Sequence, residues 1–364
     1  MLLLLAALTS DVLPGLQLSI HAVEVVATAA LVVILFDGGV SIGLRRFRAA
    51  AVPVISLGVV GTFATAGLVA VFIHAAFGFG WLTAGLLAAA VAPTDPAVMF
   101  SVLGDREIEG RTDTILEGES GANDPVGIAL MLGLIQLAQH ADATFWVVVR
   151  VFAEQMAIGL AVGVGGGLLQ VFLAHRLVRF AELLPLLLAA AIFGAATIAH
   201  GSGFLAVFVA GLLRGDHERE QEADLERWRK LFATASEVTV FVALGLTVNV
   251  SSIDLGRWGE GLLIAVFLTL VARPLVGGAL LAPVKLELGE RLFVIWAGLK
   301  GAVPILLAAF AVSGHVHDGR RIYQTVFVVV LASVVVQGSS IPFAARRLGV
   351  EATEVEAIEV DAGS

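Results

Sequence analysis

The chain has 364 residues, of which 58% are hydrophobic and only 15% charged, and this balance excludes a soluble domain and indicates a polytopic membrane protein. The net charge of −9 is partly set by an acidic tail at residues 351–361, and no basic stripe interleaved with aromatics supports nucleic-acid binding. Cysteine is absent, which excludes a disulfide framework and a thiolate metal site.

Eleven apolar segments follow one another along the chain, each bounded by charged residues, glycine or proline. They lie at about 22–43, 50–73, 81–103, 114–139, 145–174, 182–199, 201–213, 231–249, 260–283, 292–313 and 321–344. An apolar stretch at the very start of the chain is too short to span a bilayer. The expected fold class is therefore an all-α polytopic membrane protein with about eleven transmembrane helices.

Charged loops divide and orient this array. The run at 214–230 predicts a cytoplasmic linker between a first membrane half at 1–213 and a second half at 231–345, and residues 346–364 form an acidic cytoplasmic tail. Most of the 22 lysines and arginines fall in alternate loops, which is the positive-inside pattern. We therefore expect a multi-pass protein of the cytoplasmic membrane, with its N-terminus outside and its C-terminus in the cytoplasm.

Two carboxylates lie in apolar surroundings that are costly for them. Asp95 stands in the sequence APTDP at the end of one apolar stretch, and Asp124 stands in GESGANDP at the start of the next. A carboxylate deep in a bilayer costs about 2.5–3.5 kcal/mol on insertion scales and normally serves ions or protons. These two aspartates are therefore the first candidates for the chemistry of the protein.

Prolines accompany the charged residues of the spans. Pro96 and Pro125 each follow one of the two aspartates, and Pro304 lies four residues after Lys300. A helical proline frees the carbonyl four residues before it, and in lipid such backbone persists only when it is buried or lines a cavity. Breaks at Pro96 and Pro304, one in each half, are typical of the discontinuous helices of repeat-built transporters.

The spacing of polar side chains suggests a cation site. Ser120 and Asp124 share a helix face, and Thr94 and Asp95 would approach from the neighbouring broken helix. With backbone carbonyls they supply hard oxygen ligands that suit Na⁺ or K⁺, and because this set contains no histidine or cysteine it is not a zinc or copper site. Because burial favours the protonated form of a carboxylate, Asp124 could hold either a proton or a cation, and this competition would couple the two fluxes.

Four segments, LFDGG, APTDPAV, GESGANDPVGIAL and GLKGAVPILLA, resemble signature segments of the monovalent cation:proton antiporter family. The nearest similarity is to its electroneutral branch, in particular to bacterial exchangers of the NhaP type, and it covers residues 25–345. The resemblance implies an inverted-repeat transporter fold with two broken, crossing helices. It also implies a secondary transporter rather than an enzyme, without a cofactor, that forms a homodimer and exchanges Na⁺ or K⁺ for H⁺ to maintain cellular pH.

The resemblance also implies roles for individual residues. Asp124 would carry cation and proton in turn, within a set of ligands formed by Asn123, Thr94, Asp95, Ser120 and, from an earlier helix, Asp37. Asparagine rather than a second aspartate at position 123 implies one-for-one, electroneutral exchange. Two structural ion pairs would join Glu119 to Lys300 and Glu237 to Arg273.

The chain departs from the family pattern in three ways. The family usually has arginine at the position of Lys300, and a buried lysine is a point charge that can lose its proton. About two helices that precede these segments in the family, in its dimerisation region, are not among the eleven found. The cytoplasmic regulatory domain of many relatives is not among them either.

Three alternatives compete with the exchanger. A monovalent cation channel would need a pore open to both sides and a filter of carbonyl rings. An inactive, N-terminally shortened relative would keep the site without a working transport cycle. An intramembrane aspartyl protease would use Asp95 and Asp124 as its dyad, although both aspartates precede prolines and the usual GxGD signature is absent.

Overall fold

A computed structural model describes residues 2–95, 99, 106–108, 111–140, 142–174, 184–218, 223–350 and 352–354. Helices occupy the predicted apolar segments, and a further helix forms at the start of the chain. In order they are α1 (Leu2–Val12), α2 (Ile20–Ala49), α3 (Ala51–Phe77), α4 (Trp81–Val91), α5 (Arg111–Gln139), α6 (Trp146–Ala174), α7 (Leu184–Ile198), α8 (Gly203–Glu218), α9 (Ala223–Gly245), α10 (Leu255–Leu281), α11 (Leu288–Trp296), α12 (Ala302–Ser313) and α13 (Gly319–Arg347).

Two short strands accompany the helices. Strand β1 (Arg106–Ile108) pairs in antiparallel fashion with β2 (Ala352–Glu354), so that Arg106 lies opposite Glu354. This pair joins the chain just before α5 to the segment just after α13. The helical fold predicted from the sequence is therefore confirmed, with one small two-stranded addition.

Within the described residues, six helices are long and apolar enough to cross a membrane: α2, α3, α5, α6, α10 and α13. Four shorter helices, α1, α4, α7 and α12, are also apolar. A continuous apolar helix satisfies its own backbone hydrogen bonds, which lipid requires of any spanning segment. Helices also extend into the predicted linker from both sides, since α8 ends at Glu218 and α9 begins at Ala223.

Helix α5 lies at the centre of the bundle and α6 at its edge. In the most apolar stretch of α5, 72% of the residues are buried, whereas the corresponding value for α6 is 22%. The exposed side chains of α6 include Leu160, Leu168 and Phe172, which are suited to contact with lipid chains. The helix that carries Asp124 is thus shielded by other helices.

In the part of the chain that the structure describes, three long helices each contain a π-helical turn, at Ser56–Gly61 in α3, Leu268–Ala272 in α10 and Ser333–Gly338 in α13. Such turns are rare and occur frequently at functional sites. The turn in α3 packs against α5, where Gly58 makes the close approach possible. A Cβ atom on Gly58 would lie 2.5 Å from the Cβ of Ala122 and 3.2 Å from the carbonyl oxygen of Glu119.

Two of the apolar segments, at 81–103 and 292–313, are interrupted, as the prolines near Asp95 and Lys300 predict. Helix α4 ends at Val91 and residues 92–95 are not helical, while Pro96 lies outside the described residues. Residues 297–301 separate α11 from α12. Pro304 lies in the first turn of α12, where its missing N–H would have no helical partner in any case.

Candidate ion-binding site

The two interrupted segments are directly hydrogen-bonded to each other. The backbone N–H of Asp95 donates to the carbonyl oxygen of Leu299 at 2.9 Å. The backbone N–H of Ala302, at the start of α12, donates to the Asp95 carboxylate at 3.3 Å. Backbone groups that lost their helical partners are thus satisfied across the two segments, as a lipid environment demands.

Lys300 connects the same segments through its side chain. Its ammonium group donates to the carbonyl oxygens of Ala92 and Pro93, each at 2.8 Å, and the residue is only 1% exposed. These carbonyls directly follow the end of α4, where the helix dipole favours a positive charge. The family resemblance implies an ion pair of Lys300 with Glu119, but the Lys300 ammonium donates its hydrogen bonds to backbone carbonyls of the first break, the non-helical residues 92–95.

Glu119 instead forms a buried ion pair with Arg273. Both carboxylate oxygens of Glu119 accept hydrogen bonds from the guanidinium, one of them from Nη2 at 2.8 Å. The structure therefore corrects both implied pairs, Glu119 with Lys300 and Glu237 with Arg273. The planar guanidinium matches a carboxylate in two-point contact, which an ammonium cannot do.

Glycine makes room for this pair. A Cβ atom on Gly298, in the second break, would lie 2.5 Å from Nε of Arg273. The guanidinium can therefore pass the break and reach α5. Glu237 is half-buried on α9, and Arg273 makes its remaining hydrogen bonds to the carbonyl oxygens of Val294 and Ile295.

A polar chain leads from this ion pair to Asn123, which precedes Asp124 on α5. Asn123 donates from its side-chain amide to the Thr94 hydroxyl at 2.7 Å, and this hydroxyl donates to Glu119 at 3.4 Å. The amide of Asn123 is therefore oriented by Thr94. Its side-chain oxygen and one carboxylate oxygen of Asp124 are buried without a hydrogen-bond partner.

Unpartnered buried acceptors are uncommon in folded proteins because each costs free energy. Asn123 and Asp124 are 1% and 3% exposed, respectively, so water does not cover these oxygens. The charges that act on the Asp124 carboxylate are those of Asp95 and Lys300. Buried amide and carboxylate oxygens suit a desolvated monovalent cation, and the carboxylate can instead accept a proton.

The structure brings most of the predicted site residues to this place. Thr94 and Asp95 come from the segment after α4, and Asn123 and Asp124 come from α5, where Ser120 is buried one turn before Asp124. Asp37 has different partners. Its carboxylate and carbonyl oxygen accept hydrogen bonds from the Arg229 guanidinium, which also donates to Ser41 at 3.1 Å.

Sequence reasoning missed two of these partnerships. Arg229 stands in the charged run that predicted a linker, where nothing indicated that it would bind Asp37 on α2. Arg273 was recognised as an intramembrane charge, but its partner depends on where the helix bundle places α10 relative to α5. A search for carboxylates able to satisfy each intramembrane arginine would have included Glu119 as a candidate.

Comparison with known proteins identifies the family of this chain. The family model described as sodium/hydrogen exchanger, transmembrane, matches residues 1–347. The K⁺/H⁺ antiporter NhaP of Alkalimonas amylolytica is 38% identical over 334 residues, which cover 90% of this chain and 58% of that protein. The Na⁺/H⁺ antiporter NhaP of Pseudomonas aeruginosa is 27% identical over 369 residues, which cover 89% of this chain and 81% of that protein.

The fold is likewise shared with a solved structure. The sodium proton antiporter MjNhaP1 from Methanocaldococcus jannaschii at pH 8 matches with a TM-score of 0.76 and 21% sequence identity, over 95% of this chain and 91% of that chain. The chain spans less than three fifths of the length of the K⁺/H⁺ antiporter from Alkalimonas. The family resemblance of the four sequence segments is therefore confirmed, and the chain belongs to the transmembrane sodium/hydrogen exchanger family.

Proposed function

We propose that this chain exchanges a monovalent cation, Na⁺ or K⁺, for H⁺ across the cytoplasmic membrane. The observation that carries the proposal is the pair of buried, unpartnered oxygens on Asn123 and Asp124. In a membrane interior these acceptors gain more from a desolvated cation or a proton than from remaining empty. Cation and proton compete for Asp124, and this competition couples their movements.

The arrangement around Asn123 supports electroneutral exchange. Its amide donates to Thr94, so position 123 contributes a neutral oxygen rather than a second ionisable carboxylate. Glu119 is neutralised by Arg273 within the same cluster. One proton on Asp124 is then replaced by one cation, and the charge of the loaded site is the same in both directions of transport.

The proposed architecture is an inverted-repeat transporter of about eleven spans, in which the segments after α4 and α11 are the crossing breaks. Their mutual hydrogen bonds, from Asp95 to Leu299 and from Ala302 to Asp95, support this arrangement. Alternating access would occur around this site, with the N-terminus outside, the C-terminus in the cytoplasm and the protein acting as a homodimer.

The ion to test first is K⁺. The relative named a K⁺/H⁺ antiporter is 38% identical to this chain, and the one named a Na⁺/H⁺ antiporter is 27% identical. Both ions suit a site made of carboxylate, amide and hydroxyl oxygens, since such sites distinguish them by small differences in oxygen placement rather than by ligand type.

Cation-induced dequenching of a pH dye in proteoliposomes tests the proposal. K⁺ and Na⁺ are compared side by side, with the membrane potential either free or clamped. We expect dequenching by at least one cation, unaffected by the clamp, and its loss in Asp124→Asn. The matched control is Asp113→Asn, which changes a carboxylate on the same helix that pairs with Arg46 at 2.8 Å, outside the proposed site.

The outcomes separate the alternatives. Exchange that persists in Asp124→Asn would contradict the proposed role of Asp124 as the carrier. A conductive flux that follows the membrane potential, without proton exchange, would indicate a channel. No response to either cation in the folded wild-type protein would contradict the proposed activity of this chain.

A further inference from the structure

The second break, residues 297–301 between α11 and α12, is hydrogen-bonded by side chains of α13. Ser333 and Gln337 lie on the π-helical turn of α13, and both are 4% exposed. The Ser333 hydroxyl accepts a hydrogen bond from the backbone N–H of Lys300 at 2.9 Å and donates to the Gln337 side-chain oxygen at 2.7 Å. Both polar side chains therefore face the protein interior rather than lipid.

Gln337 also hydrogen-bonds the end of α11, the helix that precedes the break. The side-chain amide of Gln337 donates to the carbonyl oxygen of Trp296, the last residue of α11, at 3.3 Å. Backbone groups at a helix end have no partner within the helix, and lipid offers none. Ser333 and Gln337 thus satisfy one backbone donor within the non-helical residues 297–301 and one backbone acceptor at the residue just before them.

Residues of the second break and the first residue of α12 in turn hydrogen-bond Asp95 and its segment. Leu299 accepts from the Asp95 backbone, Ala302 donates to the Asp95 carboxylate, and the Lys300 ammonium binds the two carbonyls before Thr94. Any shift of the second break is therefore passed to the segment that carries Asp95. A buried polar network of this kind is stable only when every member is satisfied, so it favours one arrangement of the break.

We infer that Ser333 and Gln337 are positioning residues of the cation site, because their hydrogen bonds to Lys300 and Trp296 hold the second break in the register that sets Asp95 beside Asp124. The inference rests on the proposed function, in which Asp95 contributes to cation binding. Neither side chain touches the cation. Their effect is on affinity, through the placement of an oxygen ligand.

The test is a cation titration that does not depend on transport. Thermal unfolding of the purified protein is followed in detergent while K⁺ or Na⁺ is raised, since a ligand that binds the folded state raises the unfolding temperature. We expect Ser333→Ala to raise the cation concentration at half-maximal stabilisation about ten-fold, because one buried N–H loses its acceptor. Ser333→Thr keeps the hydroxyl and restores most of the wild-type affinity.

Ser339→Ala is the matched control. Ser339 lies on the same helix, is exposed, and its hydroxyl bonds only the carbonyl oxygens of Val335 and Val336 in its own helix. Its loss leaves the titration unchanged. In dequenching assays, Ser333→Ala raises the apparent KM for the cation by about the same factor, while the maximal rate stays within about two-fold.

Gln337→Met provides a second variant, which keeps the side-chain length and removes the amide oxygen and nitrogen that make the two hydrogen bonds. Unchanged cation titrations in both Ser333→Ala and Gln337→Met would overturn the inference. So would a loss of folded protein in both variants, since their role would then be structural. Wild-type protein that binds cations without exchanging them would contradict the proposed function alone, whereas wild-type protein that binds no cation would overturn both.

Discussion

The buried pair of Glu119 and Arg273 allows a quantitative test of how the helices around the site are packed. The two side chains are 2% and 8% exposed, and Arg273 also donates to Val294 at 3.2 Å. Removing one partner of a buried ion pair leaves an uncompensated charge, which costs about 3–5 kcal/mol. We therefore expect Arg273→Met to destabilise the protein by about this amount, and Glu119→Gln combined with Arg273→Met to regain part of it.

A double-mutant cycle measures the interaction. Thermal unfolding in detergent is recorded for the wild type, the two single variants and the double variant. The coupling between Glu119 and Arg273 should exceed about 1 kcal/mol, as for other directly bonded buried residues. A parallel cycle combines Glu119→Gln with Lys300→Met, and we expect a smaller coupling because Lys300 bonds backbone carbonyls. A larger coupling for Lys300 than for Arg273 would refute the pairing and support the one implied by family resemblance.

Two further predictions concern α3 and Asn123, the neutral residue next to Asp124. Gly58→Ala should destabilise the protein by about 1–3 kcal/mol in thermal unfolding, because the new methyl group meets Ala122. Gly67→Ala changes a glycine on the same helix with open space around it, and it should not lower stability. Equal destabilisation by the two variants would contradict the packing described. Asn123→Asp adds a second ionisable carboxylate, so exchange should become sensitive to a clamped membrane potential in proteoliposomes. Flux that stays insensitive to the potential would argue against the charge-based account of stoichiometry.

Much of the helical framework follows from local properties of the chain. Apolar runs long enough to span a bilayer, bounded by charges and prolines, predicted helices that the structure places at nearly the same residues. The spacing of Ser120 and Asp124 also predicted a shared face on α5, since residues four apart on a helix are neighbours. The prolines near Asp95 and Lys300 indicated where two apolar runs would be interrupted.

The sequence alone therefore determined the membrane class, the helices, the approximate positions of both breaks and the residues proposed to bind the ion. Tertiary structure alone decided the partners of the buried charges. Glu119 lies 154 residues from Arg273, and Asp37 lies 192 residues from Arg229, so no local periodicity relates them. Their pairing depends on where the helix bundle places α10 relative to α5 and on how α9 packs against α2. A π-helical turn directly precedes Arg273 on α10, and Gly298 leaves room for its guanidinium; a pattern of apolar residues encodes neither feature.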